Sequence, residues 1–338
     1  MMKILMINPP FKYDDNAWIT IPPQGYGGIQ WIIKNLIDGL TQLGVDVELI
    51  GAPGSKATSN HLKVIDIAEI KDINTYLADL KGNLLVHDHS CRGVEFSDDI
   101  DFSNCKYIIH SHYLTSIPKY TNNLVAASYA HAKAIGHQNV PVVRHPVNPD
   151  NYIYSEHKEE YLLFMGRVSP WKGVHLAAEF AKKAGMKLKI VGPVWEEDYF
   201  NYIKNEYSEI IDYYGEAGGN EKKEILAKAK ATLVFSGGIH TTTLLKWIEP
   251  GAQIVSESGI SGTPVISSDN GCLNEIVPCI GRIIEDVSKL SHRNAEKVVS
   301  DLPSSQQVYD VSYREWNHIK IAEEYLNLYK KVWKNEVW

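Results

Sequence analysis

The sequence predicts an α/β chain built from two doubly wound domains, and two observations carry that reading. Short apolar runs alternate with stretches of helical periodicity along nearly the whole chain, the pattern of parallel sheets covered by helices on both faces. The alternation also runs twice, interrupted at 149–160 by a polar stretch rich in Asn, Glu and His that reads as a linker. A length of 338 residues agrees, since single hydrophobic cores stop growing near about 250–300 residues.

The first series opens with a strand at Lys3–Ile7. After a long loop, Ile29, Ile32, Ile33, Leu36, Ile37 and Leu40 recur at helical spacing and predict an amphipathic helix. Strands are expected at 45–50, 84–87, 106–110 and 140–144, with a strand and then a helix over 60–81. The second series begins with a strand at 161–165 and continues with strands at 187–191, 210–214, 231–235 and 264–267. Helices at 174–184, 196–206, 221–230 and 252–261 lie between them, and a long aromatic-rich helix is expected near 313–333.

Composition bounds the function. Hydrophobic residues make up 44% and charged residues 22%, as in soluble globular proteins. A formal net charge of −7 argues against nucleic-acid binding, which wants a basic face. The four cysteines, Cys91, Cys105, Cys272 and Cys279, form no CxxC pair, so a reducing cytoplasm is the expected compartment. No leader peptide is expected, because the first strand starts at once, and no apolar run approaches the roughly 18 residues of a membrane span. The tail from Tyr329 to Trp338 mixes Lys with Trp. Weak peripheral contact with a membrane is one reading of it, and the end of an ordinary helix is the commoner one.

The segment Glu249-Pro250-Gly251-Ala252-Gln253-Ile254-Val255-Ser256-Glu257 sets two carboxylates eight positions apart, with Pro250 and Gly251 opening what reads as a helix. On a helix the two would lie roughly 12 Å apart along the axis. That is about the reach from a sugar, across a diphosphate, to a ribose, and the helix N-terminus between them favours an anion. Two such residues also occur on ordinary solvated helices. Gly166-Arg167-Val-Ser-Pro-Trp-Lys172-Gly173 follows a strand and precedes a helix, where an open sheet binds ligands. Arg167 offers a planar fork to phosphate oxygens and Lys172 a compact charge. Gly27 and Gly28 open the first helix, where backbone can approach a phosphate. No GxGxxG follows the first strand and no P-loop lysine is present, which argues against a dinucleotide enzyme and a P-loop enzyme.

These motifs, with Gly262-Thr-Pro-Val-Ile266 and Gly271-Cys-Leu-Asn-Glu-Ile-Val277 after them in order, resemble the C-terminal half of the retaining glycosyltransferases of family 4. Gly27-Gly28, the strand ending Val86-His87-Asp88-His89 and the terminal Trp316, Tyr325 and Tyr329 are similar to the same family. The run from Asp15 through Trp18 to Trp31 is similar to that in transferases of avilamycin-type antibiotic biosynthesis. The resemblance implies the GT-B fold, two facing Rossmann-like domains with a cleft between them. An acceptor domain over 1–153 would be joined by a C-terminal helix at about 313–338 packing back on it, and a donor domain would span 154–312.

The resemblance also implies roles. Arg167 and Lys172 would hold the donor diphosphate and stabilise its growing charge, with Gly166, Pro250, Gly251, Ala252, Gln253 and Ile254 around the donor. Glu249 would sit by the sugar hydroxyls, Glu257 by the ribose, and Gly28 by the diphosphate. A histidine at the end of the strand 107–110 would face the reacting centre; His110 and His112 both stand there, with His112 favoured because it falls just beyond the strand. The partners implied are a nucleotide sugar, UDP- or GDP-linked, and a carbohydrate or glycoconjugate acceptor, with no cofactor and no metal. Gly251-Ala252 replaces the family's usual Phe-Gly and His145 its usual Asn. The run Gly237 to Lys246, with His240 and Thr241, reads equally as a donor-facing loop and as a solvated one. Two other readings stand beside transfer: a nucleotide-sugar epimerase of the same fold, and a nucleotide-sugar binding protein without catalysis.

The spacings His87-x-His89 and His110-x-His112 can bind zinc. No cysteine or acidic residue completes a site except Asp88, which a continuing strand would turn away, so no metal is expected. Asp99-Ile-Asp101 lies in a loop and reads as solvated. The loop 9–24, with Tyr13, Asp14, Asp15 and Trp18, would choose the acceptor.

Overall fold

The computed structural model describes residues 2–12, 16–80, 84–90, 100–112, 114 and 122–338. Two compact units divide the chain, one formed by 1–148 with 316–338 and the other by 149–315.

In the N-terminal unit the order is β1 (Lys3–Ile7), α1 (Gly28–Gln42), β2 (Val47–Gly51), β3 (Leu62–Asp66), α2 (Ile73–Asp79), β4 (Leu84–Asp88), β5 (Lys106–His110), β6 (Leu124–Val125) and α3 (Tyr129–Ala134). Its strands form one parallel sheet in the order β3-β2-β1-β4-β5-β6. Because side chains alternate along a strand, β1 serves two cores at once. Ile4 and Met6 face a layer with Ile33, Leu36, Ile37, Tyr325 and Tyr329, while Leu5 and Ile7 face Leu77, Val86 and Ile109. That explains why β1 reads as a continuous apolar run.

In the C-terminal unit follow β7 (Tyr161–Met165), α4 (Val174–Lys183), β8 (Lys187–Val191), α5 (Glu197–Glu206), β9 (Ile211–Gly215), α6 (Gly219–Lys228), β10 (Ala231–Val234), α7 (Gln253–Ile260), β11 (Val265–Ser268), α8 (Leu273–Ile276), β12 (Gly281–Ile284) and α9 (His292–Ser300). The parallel sheet runs β12-β11-β10-β7-β8-β9. Leu162 and Phe164 pack on α4 through Ala177, Ala178 and Ala181, while Tyr161 and Leu163 face Leu226. Small residues along α4 let the helix lie close to the sheet.

Three expectations are corrected. The single terminal helix is two, α10 (Ser305–Trp316) and α11 (His318–Trp333). The break falls at Asn317, whose side chain accepts from the Ile319 N–H and whose extended backbone pairs with Val147. An asparagine at that point caps a new helix more readily than it continues an old one. The strand expected at 140–144 is reduced to an isolated bridge between Val142 and Ala126, next to the short β6 that periodicity did not show. The helix expected to open at Pro250 starts at Gln253, after Ala252 in the left-handed region at φ 41°, ψ 65°. Glu249 is therefore a loop residue, and the axial spacing of 1.5 Å per residue does not apply across the pair.

Helix α11 returns to the N-terminal unit across α1. Gly39 makes this approach: a Cβ there would stand 2.3 Å from the His318 carbonyl oxygen. The tail is docked as well, with the Trp338 indole donating to the Leu124 carbonyl and Lys106 lying over the Trp333 ring. Trp333 and Trp338 pack in part against the core of this unit. Among the described residues no helix is long and apolar enough to cross a membrane.

Candidate functional site

A parallel sheet binds ligands at the carboxyl ends of its strands, where neighbouring strands send their connections to opposite sides. In the C-terminal unit that point lies between β7 and β10. The two segments singled out in the sequence leave from these two strands. Gly166–Gly173 follows β7, and the chain from Phe235 to Ala252 follows β10.

Beyond β7, Val168 extends the strand pairing by bridging Val194, with the Val168 N–H donating to the Pro193 carbonyl. This pairing sets Arg167 over Trp195, with the guanidinium carbon 3.2 Å from the ring centroid. A tight turn, Pro170–Lys172, then seats Trp171 in the core and ends at Gly173, left-handed at φ 71°, ψ 33°. The turn directs Lys172 to Glu249, Nζ to Oε2 2.8 Å. The Trp247 indole donates to the same oxygen at 3.0 Å, and Lys172 lies 4.9 Å from that ring's centroid.

Glu249 is buried, and its backbone is pinned by the loop after β11. The Cys272 N–H donates to its carbonyl, and Gly271 packs so closely that a Cβ would stand 2.3 Å from that oxygen. Burial pushes the Glu249 carboxyl up, but the Lys172 charge and hydrogen bond, with the indole donor, outweigh it and hold the carboxyl below its ordinary value. It is a carboxylate at neutral pH.

Glu257 lies on α7, buried, with Tyr152 donating to one oxygen at 2.9 Å and Lys222 paired to the other at 2.9 Å. Each of the two expected carboxylates has its own lysine and its own surroundings. Pro250, Gly251, Ala252, Gln253 and Ile254 form the bend between them and the first turn of α7. His240 stands at the base of a hairpin closed by Ile239 and Lys246. Its ring lies 4.3 Å from Trp171 and 5.4 Å from Trp247, and burial with the charges of Arg167 and Lys172 lowers its pKa. Thr241 bonds outward to Glu196.

Motif reading missed Trp195, Trp247, Tyr152 and Lys222. Trp195 follows β8 as Arg167 follows β7, and Trp247 is two positions from Glu249, so topology offered a signal for both. Tyr152 and Lys222 reach Glu257 from 105 and 35 positions away, which no local pattern shows.

In the N-terminal unit the corresponding reversal lies between β1 and β4. Gly27 caps α1 at φ 149°, and a Cβ on Gly28 would meet nothing within 4 Å among the described residues. Packing therefore does not demand glycine at 28. Trp18 bridges Lys12, whose ammonium lies 4.4 Å from the ring centroid. Tyr13, Asp14, Asp15 and Asp99 fall outside the described residues.

The ends of β4 and β5 gather histidines. Ring centroids of His87 and His89 are 4.2 Å apart, His89 and His110 5.5 Å, and His110 and His112 4.5 Å. His145 joins them, 5.7 Å from His110 and 6.0 Å from His112. His110 ends β5, buried, with Nδ1 against the Tyr325 hydroxyl. His112 lies two residues beyond, partly exposed, its Nε2 3.0 Å from His89 Nδ1. Burial lowers the pKa of His87 to about 3, and burial with neighbouring imidazoles lowers those of His89, His110 and His112 well below the ordinary value. All four are neutral near pH 7. The intervening Asp88 accepts from the Ser90 N–H, away from the rings.

Comparison with known proteins fits this geometry. The sequence model of the family described as Glycosyl transferases group 1 matches residues 153–278. No curated protein matches the chain. Among solved structures, AviGT4, a glycosyltransferase involved in avilamycin A biosynthesis, is 37% identical over 100% of both chains, with a TM-score of 0.92. Sucrose-phosphate synthase from Thermosynechococcus elongatus is 14% identical over 99% of this chain and 100% of its own, at a TM-score of 0.72. Anabaena Alr3699/HepE, solved with UDP and glucose, is 14% identical over 97% of this chain and 99% of its own, at 0.67. These two show the fold alone. With its two six-stranded parallel sheets and its full-length likeness to AviGT4, the chain belongs to the group 1 glycosyltransferases of GT-B fold.

Proposed function

We propose that this glycosyltransferase is a retaining enzyme of the family 4 type that uses a nucleoside diphosphate sugar and needs no metal in the chemical step. The observation that carries the reading is the Lys172–Glu249 pair beside Trp247, built from the β7 and β10 loops that also set out Arg167. An arginine stacked on an aromatic ring keeps a fixed donor plane, suited to bidentate phosphate contact. A lysine anchored at one side by a carboxylate is a preorganised charge for the leaving diphosphate. Ionised Glu249 accepts hydrogen bonds from donor sugar hydroxyls, and Glu257 accepts them from the ribose.

Neither glutamate acts as general acid or nucleophile, since each is held as the partner of a lysine. In the transfer step the bond from the anomeric carbon to the diphosphate oxygen breaks, with its electron pair going to that oxygen. The acceptor oxygen bonds to the same carbon on the same face, and its proton passes to the departing diphosphate. Configuration is thereby retained. In the N-terminal unit, His112 is the histidine assigned to the transfer step, since it is partly exposed where His110 is buried. UDP is the first nucleotide to test, given that a solved structure of the same fold holds UDP.

Incubation with UDP-, GDP- and ADP-sugars and candidate acceptors, read by NMR of the anomeric proton, tests the proposal. A glycoside of the donor's own configuration supports it, and an inverted product or an isomerised donor overturns it. Excess chelator is expected to leave turnover unchanged, and loss of turnover restored by a divalent cation would contradict a metal-free step. For Glu257→Ala the donor KM is expected to rise about tenfold or more with kcat little changed, because ribose contacts are equal in ground and transition states. A fall in kcat alone would remove Glu257 from the ribose.

A further inference from the structure

We propose that His87, His89 and His110 form a binding site for a divalent d-block cation of the zinc class, in the N-terminal unit and separate from the donor residues. One ring nitrogen from each lies within 4.8 Å of the others. All three residues are essentially inaccessible, at 0%, 0% and 1% exposure.

Their hydrogen bonding distinguishes the cluster from ordinary core histidines. The Nδ1 atoms of His87 and His110 meet the hydroxyls of Tyr329 and Tyr325, and Nδ1 of His89 meets Nε2 of His112. On every ring the other nitrogen, Nε2, has no hydrogen-bond partner among the described residues. Buried nitrogens are rarely left so, and three together point to something that takes their lone pairs.

A cation bound through Nε2 fixes each ring as the Nδ1–H tautomer. Each Nδ1–H then donates to an acceptor already in place: a tyrosine hydroxyl for His87 and for His110, and the His112 ring nitrogen for His89. A second hydrogen bond behind every ligating imidazole is the usual support of a histidine metal site. Tetrahedral coordination wants ligand nitrogens roughly 3.3 Å apart, so binding would draw the three rings together from their separations of up to 4.8 Å. An all-imidazole set favours zinc, cobalt, nickel or copper and disfavours magnesium and calcium, which take oxygen ligands. A second triplet, His110, His112 and His145, shares one member, but His112 Nε2 is already engaged by His89.

In the sequence no cysteine or carboxylate completes the histidine pairs, which is why no metal is expected from it. The two β4 histidines were already one strand apart from His110, and three neutral imidazoles suffice with a solvent ligand in the fourth position. The ion ties the carboxyl ends of β4 and β5 together, so its expected effect is on stability and not on the transfer step.

The test is calorimetric titration of chelator-stripped protein with Zn²⁺. One saturable equivalent and a higher melting temperature are expected, with turnover of the loaded and stripped protein equal. Tyr329→Phe, which removes only the hydroxyl behind His87, is expected to weaken binding about 10–100-fold, and His87→Phe and His89→Phe to weaken it further. Absence of a saturable equivalent in the wild type, or unchanged affinity in the folded His variants, overturns the proposal. If those variants do not fold, X-ray absorption of the zinc-loaded wild type decides. About three imidazoles near 2.0 Å support the site, and one or none overturns it.

Discussion

Lys172→Ala is expected to lower turnover by about 100-fold or more, the loss typical of one preorganised charge on a leaving oxyanion. The substitution also strands Glu249, which is buried and whose carboxyl is held low by Lys172. Breaking a buried pair from one side typically costs about 3–5 kcal/mol. Here the lower end applies, because the Lys172 side chain keeps 26% of its surface exposed. The two effects separate in the double variant. Lys172→Ala with Glu249→Gln is expected to recover much of the melting temperature while turnover stays low. Turnover that returned with stability would show Lys172 to be a structural cation, and unchanged turnover in the single variant would remove it from the diphosphate.

Gly173→Ala should destabilise the C-terminal unit by about 3 kcal/mol or more. Left-handed strain and over-packing each contribute roughly 1–3 kcal/mol. The residue sits at φ 71°, and a Cβ there would stand 2.0 Å from the Phe235 carbonyl oxygen and 2.7 Å from its carbon. Both atoms are backbone, so no side chain can swing aside. The glycine joins the β7 loop to the end of β10 where Lys172 and Glu249 meet, so turnover should fall with stability. For a unit of this size about 2–4 °C is lost per kcal/mol, which a thermal melt resolves. A melt indistinguishable from wild type would mean that the two loops are not packed as closely as described.

These effects show which parts of the molecule a sequence can disclose. The central strands were readable because each is buried on both faces and therefore apolar throughout, as in Leu162–Phe164 between two cores. The order of motifs sets Arg167 and Lys172 on the connection after β7, and Glu249 and Glu257 on the connection after β10 and on α7, because chain order and strand order are tightly linked in a doubly wound fold. Local conformation was less legible. Ala252 adopts a left-handed backbone usually given to glycine, so the run Pro250–Gln253 looked like a helix start when it is a bend. The break at Asn317 was hidden because the apolar spacing of α10 and α11 continues across it.

Partnerships across the chain were least legible. Lys172 meets Glu249 across 77 positions, and His87 meets Tyr329 across 242. The paired histidines were visible as a pattern, yet their buried Nε2 atoms and tyrosine supports exist only once α11 packs over β4 and β5.

The proposed function requires a nucleoside diphosphate to be gripped at the carboxyl end of the C-terminal sheet. Its most direct test is a crystal structure of the protein with UDP, or with whichever nucleoside diphosphate binds best. Diphosphate oxygens are expected in hydrogen-bond contact with Arg167 and Lys172, and ribose hydroxyls on Glu257. A nucleotide seated elsewhere, or these side chains turned from a bound one, would contradict it.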